Sequence, residues 1–119
     1  MKLLINSTTI EIKPYKTETA RIISMQKGFK SKISTWGDEI YFKTPIKGIK
    51  LDVKARDIVN YGEIAYWVEG CSIAIGFGPT PASINNEIRL VSKVNIWASF
   101  DINLIDVSIF KEIRDNDIV

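Results

Sequence analysis

Asp38 and Glu39 are adjacent carboxylates, and paired carboxylates are the groups that enzymes use for general acid and base catalysis. The residues that follow alternate, with Ile40 and Phe42 on one side of a predicted strand and Glu39 on the other. Neighbours in a strand project to opposite faces, so Asp38 and Glu39 cannot act together on one bond. Their spacing disfavours a two-carboxylate hydrolase.

Other reactive groups are few. Cys71 is the single cysteine and the chain has no histidine, so neither an intramolecular disulfide nor a zinc site of thiolates and imidazoles can form. Cys71 stands among apolar strand residues, which predicts an inert core thiol. The Gly76-Phe77-Gly78 stretch lacks the third glycine and the lysine of a phosphate-binding loop. We expect no metal and no cofactor.

Aromatic side chains offer the best candidate binding surface. Trp67 is predicted to point outward beside small side chains on the neighbouring strand, and an apolar wall with few polar anchors is typical of ligand sites. Burial beneath a helix, a loop or a second subunit is the alternative. The candidate ligand-binding residues are Glu39, Tyr41, Trp67, Thr80, Arg89, Asn95 and Trp97.

Strands must position these side chains, because Ile and Val far outnumber Leu and Ala and β-branched residues favour a pleated surface. Residues 3–12 predict a hairpin with its turn at 6–8. One amphipathic helix is predicted over residues 18–27, with Thr17 or Thr19 as its N-cap and Gly28 as its stop.

The middle of the chain predicts two hairpins. The first runs from Lys32 and breaks at residues 37–38, and residues 45–59 form a connection with a short strand at 49–53. The second runs from Gly62 and turns at residues 69–70. Its predicted core residues are Ile64, Tyr66, Val68, Cys71, Ile73, Ile75 and Phe77.

The last third predicts one more strand and one more helix. Over residues 93–100 strict alternation directs Val94, Ile96, Ala98 and Phe100 to one side and Trp97 to the other. A helical stripe follows within residues 102–114, and the final two residues begin a strand. Closure of the sheet at that edge is left open.

Two blocks carry a family resemblance, Trp36–Pro45 (WGDEIYFKTP) and Gly62–Pro81 (GEIAYWVEGCSIAIGFGPTP). They resemble the TM1367-like family of small cyclophilin-like archaeal and bacterial proteins of unknown function. The resemblance implies a mainly β fold: a closed cyclophilin-like β-barrel with one or two short capping helices, as a single domain over residues 1–119.

Authentic cyclophilins isomerise Xaa-Pro bonds with an arginine, an aromatic proline pocket and usually a histidine. This chain has no histidine, and Lys43 stands where the resemblance would place the strand that bears the arginine. Arg56 or Arg89 is the remaining candidate donor. We therefore expect a non-catalytic module that binds a peptide or small ligand on its outer face. The alternatives are a peptidyl-prolyl isomerase without the usual histidine and a homo-oligomer subunit with an aromatic interface.

Composition and net charge limit the classes of partner that the sequence predicts. The 119 residues are 45% hydrophobic and 25% charged, as in an ordinary globular domain, and a net charge of +2 does not predict a nucleic-acid partner. The apolar run at the start is too short for an export signal, and no segment approaches the length of a membrane span. We expect a cytoplasmic protein with no membrane partner.

Overall fold

The structure is a computed structural model that describes all 119 residues. It contains nine strands and two short helices, so the predicted mainly β class is correct. The elements are β1 (Lys2–Ile5), β2 (Thr8–Glu11), β3 (Lys13–Pro14), α1 (Glu18–Met25), β4 (Ile33–Thr35), β5 (Glu39–Lys43), β6 (Arg56–Val59), β7 (Glu63–Trp67), β8 (Ser72–Gly76), β9 (Ile88–Ser99) and α2 (Ser108–Lys111).

Seven strands form one antiparallel sheet in the order β3-β9-β7-β8-β5-β4, with β6 paired to β9. Both predicted hairpins of the middle region are present. Strand β5 of the first hairpin pairs with β8 of the second. This pairing places Phe42 opposite Ile73 and Tyr41 opposite Ala74, so residues predicted to share a face do so. The predicted strand at 49–53 is absent, and β6 forms a few residues later.

A second, two-stranded sheet pairs β1 with β2 through a turn in which Asn6 has φ of 52°. The C-terminal residues lie between this hairpin and β4. The Asn6 N–H donates to the Ile118 carbonyl at 3.1 Å, and the Ile33 N–H donates to the Asp117 carbonyl at 2.7 Å. The end of the chain therefore connects the two sheets through backbone hydrogen bonds.

Helix α1 begins as the sequence predicts. The Thr17 hydroxyl accepts a hydrogen bond from the Ala20 N–H at 3.1 Å, which makes Thr17 the N-cap. The helix buries Ala20 and Ile23 and ends at Met25, two residues before the predicted end. Helix α2 has only four residues, and no helix of the protein has the length and apolar character required to cross a membrane.

The main core lies on the inner face of the sheet, where Ile40, Phe42, Ile64, Tyr66 and Ile75 are at most 1% exposed. Nineteen buried residues form this cluster, which α1 and α2 also enter. The predicted hairpin core is correct for four of its seven members. The other three, Val68, Cys71 and Phe77, are half-buried.

Strand β9 contains a β-bulge that the sequence analysis missed. Ile64 pairs with Ala98 whereas Ala65 pairs with Ile96, so Trp97 is an extra residue without a partner on β7. The bulge shifts the alternation by one residue. Trp97 and Ala98 therefore both enter the main core, and the predicted outward direction of Trp97 is wrong.

Candidate functional site

Tyr41 and Trp67 lie together on the outer face of the sheet, as expected. Their ring centroids are 6.0 Å apart and the ring planes meet at 88°, an edge-to-face contact. Both rings are half-buried. The Trp67 ring also covers Gly70, because a Cβ atom at Gly70 would overlap the indole.

This outer face is not a free surface. Ala65 and Ala74 form a second buried cluster with Val59, Leu90 and Val94, which come from β6 and the first half of β9. The predicted shallow concavity is therefore filled by the chain itself. The sequence analysis could not place this cover, because it treated residues 45–59, which include β6, as a connection and began the strand of β9 only at residue 93.

Glu39 lies on the same face at the start of β5, opposite Gly76. Its side chain makes no ion pair and no hydrogen bond, and the residue is 7% exposed. Burial raises the pKa of its carboxyl to about 7. A carboxyl that titrates near neutrality suits acid or base chemistry, but Glu39 has no second titratable side chain bonded to it.

Thr80 and Arg89 stabilise the loop between β8 and β9. The Thr80 hydroxyl donates to the Arg89 carbonyl. The Arg89 guanidinium donates to Asp57 at 2.7 Å and to Glu87 at 3.0 Å, and these contacts raise its pKa. Both side chains are engaged in structural contacts within the loop and its neighbouring strand.

Asn95 connects three elements on the other side of β9. Its amide nitrogen donates to the Thr19 hydroxyl at 3.0 Å and to the Lys50 carbonyl at 2.8 Å, and its oxygen accepts from the Asp52 N–H at 2.7 Å. Asn95 and Trp97 are each 1% exposed. The structure therefore separates these two residues from the Tyr41–Trp67 pair.

Arg56, the other candidate hydrogen-bond donor for prolyl isomerisation, is also ion-paired. Arg56 Nη1 donates to Glu63 Oε1 at 2.9 Å and to the Ile58 carbonyl at 3.0 Å, and the bonds to Glu63 raise the pKa of Arg56. Cys71 is a free, half-buried thiol in a turn. No group of three or more His, Cys, Asp or Glu side chains is arranged to hold a metal ion.

A large concavity lies elsewhere, between the β1–β2 hairpin, the end of α1 and residues 118–119. We call it the mouth cavity; its volume is about 960 Å³, and 11 of its 18 lining residues are hydrophobic. Phe42, Ile73 and Trp97 of the main core line it together with Phe29. Such a volume is typical of sites for small organic ligands.

The polar lining of the mouth cavity is basic. Lys2, Lys27 and Lys30 line it, and no aspartate or glutamate does. Trp97 also contributes an indole N–H that is buried without a hydrogen-bond partner. A buried donor of this kind is uncommon in a folded protein and calls for an acceptor.

Sequence reasoning missed the mouth cavity because its wall comes from both chain ends and the segment after α1. One local signal could have indicated the cavity: the apolar Phe29 lies between Lys27 and Lys30, next to Gly28, which the sequence predicts as the helix stop. Of the seven predicted site residues, only Trp97 lines the cavity.

The comparisons with known proteins agree with this fold. A family model described as cyclophilin-like matches residues 1–118. The solution structure of a hypothetical protein from Archaeoglobus fulgidus is similar, with a TM-score of 0.80 and 32% sequence identity over 98% of this chain and 88% of that one. A search of curated proteins gives no significant match.

Proposed function

The chain belongs to the cyclophilin-like family, and we propose that it is a non-catalytic member that binds a small apolar ligand in the mouth cavity. The observation that carries the proposal is the cavity itself, which reaches from the surface to Phe42, Ile73 and Trp97 of the main core. Apolar walls with few polar groups are the usual form of a small-molecule site.

The Trp97 indole N–H is one of four buried polar atoms without a hydrogen-bond partner, with Tyr61 Oη, Trp67 Nε1 and Ser92 Oγ, and it is the one that belongs to a residue of the cavity lining. An unsatisfied buried donor costs about 1–3 kcal/mol, and the Trp97 Nε1 atom borders no protein acceptor.

We also propose that the sheets close into a cyclophilin-like barrel around this cavity. The support is the series of backbone bonds from β4 to the C-terminal residues and from Ile118 to Asn6 of the β1–β2 hairpin, which leads directly into β3. Closure would remove the exposed sheet edges.

The earlier alternatives have less support. Ligand or peptide capture on the outer face, through Glu39, Tyr41 and Trp67, would require β6 and the first half of β9 to move away. A homo-oligomer interface built on Tyr41 and Trp67 would have less apolar surface to bury, because both rings are already half-buried against the second cluster. The free Cys71 is consistent with the cytoplasmic location that the sequence predicts.

Filling the cavity tests the proposal. Ser24 is an exposed residue of α1 that lines the cavity, so Ser24→Phe should obstruct it without disturbing the core. Nile red, a neutral apolar dye, should bind the wild type and Ser24→Ala saturably, with emission that rises on binding. Ser24→Phe should weaken this binding at least about tenfold. Equal affinity for the dye in all three proteins would reject the mouth cavity as the site.

A further inference from the structure

We infer that the ligand of the mouth cavity is an amphipathic anion, an apolar chain or ring system that ends in a carboxylate. This inference rests on the proposed function and adds the chemical class. It follows from the distribution of charge around the cavity together with its apolar floor.

The apolar part of such a ligand matches the floor of the cavity. The side chains of Phe42 and Ile73 lie at the base of the cavity, and the half-buried Phe29 adds an aromatic ring to the wall. Removing apolar ligand surface from water stabilises the complex by about 25 cal/mol per Å².

The charged part matches the rim. Lys27 and Lys30 line the cavity, and neither forms a salt bridge. Lys2 is less free, because it lies opposite Glu11 in the β1–β2 pair. Lys27 and Lys30 are separated by only Gly28 and Phe29, so two unpaired ammonium groups border the same apolar wall.

Asp117, which precedes the lining residues Ile118 and Val119 in the chain, is not itself part of the lining. Asp117 accepts hydrogen bonds from the Arg114 N–H at 2.9 Å and from the Asn6 side chain, and these bonds lower its pKa. It is therefore an anion whose charge the structure already stabilises. Among the charged side chains of the lining, three are cationic and none is acidic, which favours an anionic over a cationic head group.

Three probes with the same tail and different heads test the inference by calorimetry at low salt: dodecanoate, dodecanol and dodecylammonium. Dodecanoate should bind wild type at least about tenfold more tightly than the other two, and salt should weaken its binding. In Lys27→Gln/Lys30→Gln the affinity for dodecanoate should fall roughly five- to thirtyfold, with that for dodecanol unchanged. The matched control Lys93→Gln/Lys111→Gln, at exposed positions outside the cavity, should behave as wild type.

The outcomes separate the two claims. If dodecanoate binds no better than dodecanol or dodecylammonium, or binds equally to both double variants, the inference is wrong. When Nile red still binds the wild type and not Ser24→Phe, the proposed function survives that failure. Failure of both Nile red and all three dodecyl probes would overturn the proposed function and the inference together.

Discussion

Glu39 shows how one residue couples stability to pH. Its carboxyl has a pKa of about 7 in the folded protein because burial disfavours the charged form, whereas the ordinary value is 4.5. The folded state therefore holds a proton that the unfolded chain releases between these two values. Stability must fall as pH rises through this window.

We predict that the free energy of unfolding of the wild type falls by about 2 kcal/mol between pH 5 and pH 8 relative to Glu39→Gln. Glutamine is neutral at both pH values and has nearly the same shape, so it removes the linkage and keeps the packing. Urea denaturation of both proteins at the two pH values measures the difference. Glu69→Gln, at an exposed turn, is the control and should retain the slope of the wild type. Parallel pH profiles for the wild type and Glu39→Gln would contradict the burial argument.

Residue directions could be predicted wherever a strand kept strict alternation. Ile40 and Phe42 face the core and Glu39 faces away, because β5 pairs in register with β8. Strand β9 is the exception: Val94 and Ile96 pack in the outer cluster whereas Ala98 and Phe100 join Trp97 in the main core, and the bulge that causes this leaves no sign in the pattern of apolar and polar residues. A bulge depends on the partner strand, so a single strand's sequence cannot reveal it.

Elements with a strong local signal were also predictable. The opening hairpin, α1 with its Thr17 cap and both middle hairpins depend on turns and caps encoded by a few adjacent residues. Strand β6 was missed because its residues, Arg56 to Val59, alternate weakly and are recruited by β9. Once formed, β6 and the first half of β9 cover the outer face, which is why the predicted groove is absent.

The fit of this cover depends on Gly76 of β8. A Cβ atom there would overlap Ile88 Cγ2 and approach Val59 Cγ2 to 3.3 Å. We predict that Gly76→Ala lowers the free energy of unfolding by about 1–3 kcal/mol, because overpacking displaces the cover from the sheet. Denaturant unfolding monitored by the combined fluorescence of Trp36, Trp67 and Trp97 measures the effect.

Gly28 provides the matched control for that substitution. A Cβ atom at Gly28 would meet nothing within 4 Å, and its backbone lies outside the left-handed region. Gly28→Ala should leave stability within about 0.5 kcal/mol of the wild type or raise it slightly. If Gly76→Ala and Gly28→Ala change the free energy of unfolding equally, then β6 and the first half of β9 can move away from the sheet without loss of stability. The outer face would then be accessible to a ligand.

The mouth cavity exists only at the scale of the whole molecule. Its wall combines the β1–β2 hairpin, the end of α1 and the last two residues, and its floor comes from β5, β8 and β9. No local pattern contains those segments together, so no reading of one stretch could have assembled them. The family resemblance predicted the mainly β fold from two blocks of sequence, yet it carried no information about this cavity.

The ion pairs of both candidate arginines, Arg56 and Arg89, argue against prolyl isomerisation. A donor to the prolyl nitrogen would have to leave its present partners, Glu63 for Arg56, or Asp57 and Glu87 for Arg89. Breaking these contacts would offset part of any gain against a rotation barrier of about 18–20 kcal/mol.

We predict that this protein leaves the isomerisation rate of a proline tetrapeptide at its uncatalysed value, with an authentic cyclophilin as positive control. A rate above background that disappears in Arg56→Ala or Arg89→Ala, with folding retained, would show that an ion-paired arginine is released for catalysis. The non-catalytic assignment would then have to be abandoned, while ligand binding in the mouth cavity would remain a separate question.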